Sequence, residues 1–173
     1  ITLDAGDELL SAVVVTKDDE AILATASGQA IRFKTKDIRQ MGRMAGGVRA
    51  IKLKKGDLVV GLGVIKRETK ASGTFLAVSA NGFGKRTKLA EYKVQHRGGS
   101  GIKTAKVTTK TGSLIKAEVL VGEAGEMEIL AISKHSQVIR TKLDEIPTLG
   151  RATQGVRIMK VRPGDFLASL TCL

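Results

Sequence analysis

The sequence is poor in the residues that carry most small-protein chemistry. Its one cysteine, Cys172, rules out a disulfide framework and fits a reducing cytoplasm. Two histidines, His96 and His135, do not combine with that thiol at any usual zinc-site spacing. Tryptophan is absent, and four Phe and one Tyr are too few for a protein that stacks single-stranded bases on aromatic rings. No apolar run approaches the roughly 18 residues of a membrane span, and no leader pattern of basic start, apolar stretch and small-residue cleavage site occurs. A hydrophobic fraction of 42% in 173 residues still suffices for the core of one domain.

What is abundant is positive charge. Against 17 Asp+Glu stand 29 Lys+Arg, a net of +12, which points to a polyanion and most often to nucleic acid. With base stacking disfavoured, the duplex backbone is the favoured target. The excess is uneven: residues 1–20 carry −5, residues 21–117 carry +17, and residues 118–173 are neutral.

The bases are also periodic. Residues 31–53, 85–107 and 139–161 align without a gap at an offset of 54 residues. Five columns are basic in all three copies: Arg32/Arg86/Arg140, Lys34/Lys88/Lys142, Arg43/Arg97/Arg151, Arg49/Lys103/Arg157 and Lys52/Lys106/Lys160. Scattering the bases at random would fill about a quarter of one such column. One column is always acidic (Asp37, Glu91, Glu145) and one always glycine (Gly47, Gly101, Gly155).

Apolar runs frame each copy. A unit opens on AILATASG, FLAVSANG or ILAISKHS and closes on LVVGLGVI, LIKAEVLV or FLASLTCL. Between them lie a mixed stretch, a Gly-rich loop and an alternating segment such as GVRAIKL. Short Val- and Ile-rich runs bounded by Gly, Asp or Ser are strands, and no 3.6-residue stripe persists. The chain is therefore expected to be all-β and propeller-like, with four-stranded blades at 20–66, 73–121 and 126–173. Residues 1–16 repeat the closing part of a unit and are expected to be the end of a preceding blade.

The second Gly-rich loop reads Gln95-His96-Arg97-Gly98-Gly99-Ser100-Gly101. Such a loop is either a plain tight turn or a phosphate cradle of amides beside an arginine. Arg43, Arg97 and Arg151 at the same place in all three loops favour the cradle. Gln-His-Arg-Gly-Gly-Ser-Gly resembles the gyrase-A box, Gln-Arg-Arg-Gly-Gly-Lys-Gly, found in the C-terminal domain of the larger chain of DNA gyrase. Asn81-Gly82-Phe83-Gly84-Lys85-Arg86-Thr87 and Gly150-Arg151-Ala152-Thr153-Gln154-Gly155-Val156 resemble blade segments of the same family. His96 and Ser100 replace bases of the box, so this copy should cradle phosphate more weakly.

The resemblance implies a β-pinwheel, whose blades exchange strands, and a basic rim that wraps duplex DNA. The five columns and the loop residues Gln95 to Gly101 would then be the DNA-binding set. It also implies a non-catalytic part of a cytoplasmic, nucleoid-associated A2B2 gyrase. ATP and Mg2+ would be used by other domains. The rest of gyrase A, together with gyrase B, would be the protein partners, with no membrane. Topoisomerase IV and a protein-interaction propeller are the alternatives. Tyr92 stands in the column Ile38/Tyr92/Ile146, a packing site, and its neighbours Glu91 and Lys93 do not match the Arg-Tyr context of the family's DNA-cutting tyrosine. The acidic column is expected to cap a turn or to pair with the arginine five residues earlier.

Overall fold

The apolar runs become antiparallel strands wherever a turn sequence lets the chain fold back. In the computed structural model, which describes residues 1–70, 72–122 and 124–173, the first repeat supplies β1 (Glu20–Thr25), β2 (Gln29–Lys34) and β3 (Val59–Ile65). The second supplies β4 (Thr74–Ser79), β5 (Phe83–Lys88), β6 (Ile102–Lys103) and β7 (Leu114–Leu120). The third supplies β8 (Glu128–Ser133), β9 (Val138–Lys142), β10 (Val156–Arg157) and β11 (Leu167–Cys172). β1, β4 and β8 each lie between two partners, and the side chains of β1 and β4 are buried on both faces. That is why these runs read as continuous rather than alternating. The register slips at the same column of each repeat, after Ala24 in β1, after Val78 in β4 and next to Ile132 in β8.

The sheet orders are β3-β1-β2-β6, β10-β5-β4-β7 and β11-β8-β9. The outermost strand of the first blade thus comes from the second repeat, and that of the second blade from the third. This is the strand exchange of a pinwheel. At the other edge, β3 packs on β7 and β7 on β11. One apolar cluster, with Ile22, Ile65, Phe75, Leu89 and Tyr92, fills the space between blades 1 and 2. A second, with Leu76, Val78, Ile129, Leu143, Ile146 and Leu170, fills that between blades 2 and 3. The glycine- and acid-bearing turns lie where expected, with Gly56 and Gly164 both at positive φ.

Two segments depart from the four-stranded pattern. Blade 3 has three strands among the described residues, because nothing pairs with the outer edge of β9. Residues 1–16 form no strand: Val14 is 91% exposed, and the segment is held by a turn from Asp4 to Asp7, by Thr2 donating from N to Ala45 O at 3.3 Å and from Oγ1 to Met44 O at 3.0 Å, and by Thr16, whose N donates to Asp19 Oδ2 at 2.7 Å. A strand exists through its ladder, and no described strand lends this segment an edge. For the same reason the alternating segments are paired over only two residues in β6 and β10.

Candidate nucleic-acid interface

The five basic columns separate by depth. Arg32 is 7% exposed, and its Nε donates to Glu20 Oε2 at 2.7 Å. Its Nη1 donates to the carbonyls of Leu89 and Tyr92, at 2.7 and 3.1 Å, across the junction with blade 2. Arg86 is half-buried, and its Nε donates to Ile146 O at 2.7 Å across the next junction. Burial lowers the pKa of this guanidinium, with Asp144 opposing. Arg140 is exposed but engages Glu128, to which its Nε donates at 2.6 Å. Burial takes Arg32 off the expected DNA-binding rim, Arg86 is half-buried on a carbonyl of the neighbouring blade, and Arg140 stays exposed with Glu128 as its partner.

Three columns are exposed in every copy: Lys34/Lys88/Lys142, Arg49/Lys103/Arg157 and Lys52/Lys106/Lys160. The first ends the strands β2, β5 and β9. Lys103 and Arg157 lie on the exchanged strands at the outer sheet edge. The nine cations recur with the repeat, but Lys34 and Lys88 end inner strands and Arg49, Lys52, Lys106 and Lys160 lie on connecting segments.

The loop arginines hold an intermediate place. Arg43 is exposed. Arg97 donates from Nη1 to Arg49 O and from Nε to Asp37 O, both at 3.2 Å. Arg151 donates from Nη1 to Lys103 O at 3.2 Å, so both brace the loop of one repeat on the preceding one.

The cradle reading of the box is also narrowed. Gly98 N donates to Ala50 O at 2.6 Å, and Lys52 N donates to Gly99 O at 2.9 Å, so the loop is laced to the preceding repeat. Gly101 and Gly155 have φ of +71° and +81°, and a Cβ there would stand 2.4 Å from Ala30 O and 2.5 Å from Gly84 O. That column is glycine because the exchanged strand passes close to its host backbone. His96, Gly99 and Ser100 remain exposed, whereas Gln95 is half-buried and its Nε2 has no partner among the described residues.

The acidic column does not pair with the arginine five residues before it. Each member ends a 3-10 turn (Thr35–Asp37, Leu89–Glu91, Leu143–Glu145), Glu91 accepts from Arg151 N at 3.2 Å, and Glu145 accepts from Thr141 Oγ1 at 2.6 Å. Burial above all raises the pKa of Tyr92, whose hydroxyl lies 2.5 Å from Thr104 Oγ1 and whose ring meets Phe75 edge-on. It is a core residue. Burial likewise pushes the Cys172 thiol up to about 12. No group of metal-binding side chains occurs, and no helix is long and apolar enough to cross a membrane, among the described residues.

Of the cations outside the basic columns, three have distinctive surroundings. Lys110 and Arg162 join Arg157 and Lys160 around a cleft of about 350 Å3. The ring of Phe83, which also lines that cleft, has Arg157 at 5.3 Å and Lys110 at 5.6 Å from its centroid. Lys110 stands between Gly56 and Gly164 in its column, so periodicity gives no sign of it, while the column of Arg162 is basic in only two copies, Lys54/Thr108/Arg162. The third is Lys85, 1% exposed, whose Nζ donates to Gly150 O, Arg151 O and Thr153 Oγ1 at 2.5, 2.6 and 3.1 Å. Its sequence does carry a signal: the column is Ile31/Lys85/Ile139, one base between two isoleucines.

Residues 19–66, 74–120 and 128–173 match the family described as DNA gyrase C-terminal domain, beta-propeller. The chain belongs to that family. It is 41% identical over 167 residues to the DNA gyrase A protein of Lawsonia intracellularis, covering 96% of this chain and 20% of that protein. It is 36% identical over 170 residues to the DNA gyrase A protein of Staphylococcus epidermidis, covering 98% and 18%. The chain thus spans about a fifth of the length of these relatives. A solved DNA gyrase A C-terminal domain superposes with a TM-score of 0.84 at 32% identity, covering 98% of this chain and 56% of that one. A DNA topoisomerase IV C-terminal domain superposes with a TM-score of 0.85 at 18% identity, covering 99% and 52%, a likeness of fold alone.

Proposed function

We propose that this chain binds and wraps duplex DNA as the non-catalytic C-terminal part of a bacterial gyrase A protein, supporting ATP-dependent negative supercoiling. The observation that carries this reading is the nine exposed cations in three columns that recur with the repeat. Bases at regular intervals on a curved surface suit phosphates at regular intervals on a bent duplex. Phosphate contacts position a protein without reading sequence, so base preference should be weak. Bending costs of order 1–6 kcal/mol per 20–30 bp site, which a continuous basic track offsets. The rest of gyrase A, together with gyrase B, provides the protein partners of this reading, in the cytoplasm and at the nucleoid.

The test is a titration of duplex binding against salt. With two or three phosphates met per repeat, about 6 to 9 are neutralised, giving log K against log salt a slope near −5 to −8. Binding that hardly changes with salt would defeat the proposal and favour a protein-binding propeller.

A further inference from the structure

The cleft where the exchanged strand β10 leaves blade 2 for blade 3 is built from parts that the repeat does not supply. One wall holds Asn81, Phe83 and the turn of Lys110, and the other is the segment from Arg157 to Asp165. In blade 1 the turn before β3 carries an acid: Ser27 donates to Asp57 from N at 2.9 Å and from Oγ at 2.5 Å. The turn before β7 has no acid. Asn81, 54 residues after Ser27, instead donates from Nδ2 to Thr109 O and Lys110 O at 3.2 and 3.0 Å. Thr108 braces the same turn, donating from N to Thr111 Oγ1 at 3.0 Å and accepting at its carbonyl from Gly112 N at 2.9 Å. A wall that is negative in blade 1 is thus positive, and of fixed shape, in blade 2.

Four cations meet in this cleft. Arg157 and Lys110 approach the ring of Phe83, itself 5% exposed, and contact with a ring restrains a flexible side chain without using up its N–H donors. Lys160 and Arg162 line the same space. None of the four forms an ion pair among the described residues. The one carboxylate in the lining, Asp165, is 6% exposed and accepts from Ser133 Oγ at 2.5 Å, Phe166 N at 2.8 Å and His135 N at 3.1 Å, with His135 Nδ1 at 3.7 Å. Like charges held round one cleft repel. An anion with several acceptor oxygens relieves that repulsion and takes up the free N–H groups.

The counterpart between blades 1 and 2 shows what the repeat alone provides. Lys103 and Lys106 stand where Arg157 and Lys160 do, but Gln29 takes the place of Phe83 and Thr108 that of Arg162. Lys103, Lys106 and Thr109 stay exposed there although the third repeat packs beside them, with Lys106 N donating to Thr153 O at 2.9 Å. A cleft at this position therefore faces solvent with a further repeat packed next to it.

We propose that this cleft is a site for one phosphate group and, resting on the duplex-binding reading of the chain, that the group belongs to the DNA backbone, a contact no other repeat offers. The probe is pyrophosphate, titrated by amide NMR into the full chain as wild type and as K110Q/R162Q, each confirmed folded by its thermal melt. In the wild type the shifts should saturate and centre on residues 81–83, 109–111 and 157–162. In the double variant the Kd should rise at least about tenfold. Duplex DNA added to the wild-type complex should restore the phosphorus signal of free pyrophosphate. At fixed salt, duplex affinity should fall further in K110Q/R162Q than in K54Q/K55Q, which removes two exposed cations outside the cleft and the basic columns. Shifts that spread over the exposed columns without saturating, or an unchanged Kd in the folded double variant, would overturn the site. Duplex that binds the wild type yet leaves pyrophosphate in place, or equal losses in the two double variants, would overturn the backbone assignment. A wild type that binds no duplex would defeat the wrapping proposal and with it that assignment, while the pyrophosphate titration would still decide the site.

Discussion

Arg32 and Lys34 stand two residues apart on one strand and both belong to columns that are basic in every repeat, yet they do opposite things. Lys34 is exposed, while Arg32 is covered by the turn of the second repeat and enclosed by Glu20, Leu89 and Tyr92. Burial would raise the Glu20 carboxyl, but Lys70 and Arg32 hold it below the ordinary range. Arg32→Ala should cost about 3–5 kcal/mol in urea denaturation, because it strands a buried carboxylate, and should leave the salt slope of DNA binding unchanged. Lys34→Ala should change stability by less than about 0.5 kcal/mol and lower that slope. Lys85 gives a second residue-scale test. Burial depresses its pKa to about 8 from the ordinary 10.5, with Arg151 adding to the effect and Glu91 opposing it. Between those values the unfolded chain binds a proton that the folded chain does not, so stability rises with pH across the window. Relative to Lys85→Met, wild-type stability should climb by about 3 kcal/mol from pH 8 to above pH 10, by denaturant titration at each pH. A flat difference would show that the ammonium is not penalised where it sits.

At the scale of strands and loops, the repeat, its strand content and its turns were legible because apolar runs and glycines recur at a fixed offset. The partner of each strand was not. Residues 102–103 and 156–157 look in sequence like members of their own repeat, and only packing shows that they complete the preceding blade. The glycine column was misleading for the same reason: close approach to a phosphate and close approach to a neighbouring backbone require the same missing side chain. The two uses can be separated. Gly101→Ala and Gly155→Ala combine positive φ with a Cβ 2.4–2.5 Å from a carbonyl, so each should destabilise by more than about 1 kcal/mol. Gly99→Ala, whose Cβ would find its nearest neighbours at 3.7 Å, should be close to neutral for folding. If all three were equally mild, the column would owe its identity to a ligand rather than to strand exchange.

For the whole molecule, +12 resolves into two populations of charge. Acids at the start of the first blade do not form a negative surface: Asp19 pairs with Lys66 at 3.0 Å, and Glu20 with Lys70 at 2.7 Å and with Arg32. Some bases sit at junctions, where Arg32, Lys85 and Arg86 hold one blade to the next, and others, the three exposed columns, face solvent once per repeat. Composition could count these charges but not sort them, since only the exchanged strands decide which face is covered. The sorting makes the wrapping proposal testable on one molecule. R49A/K103A/R157A removes one exposed cation per repeat and no inter-blade brace, so the fold should persist. If each meets a phosphate, the magnitude of the salt slope should fall by about 3. A wrapper must also store writhe, which a mere binder need not do. A closed circular plasmid relaxed by a type I topoisomerase in the presence of the wild-type chain should therefore retain a shifted linking number after deproteinisation. That shift should shrink in the triple variant, read as topoisomer bands on an agarose gel. An unchanged slope in a folded triple variant would move the binding track off this column. A normal slope with no linking shift would leave a chain that binds duplex DNA without wrapping it.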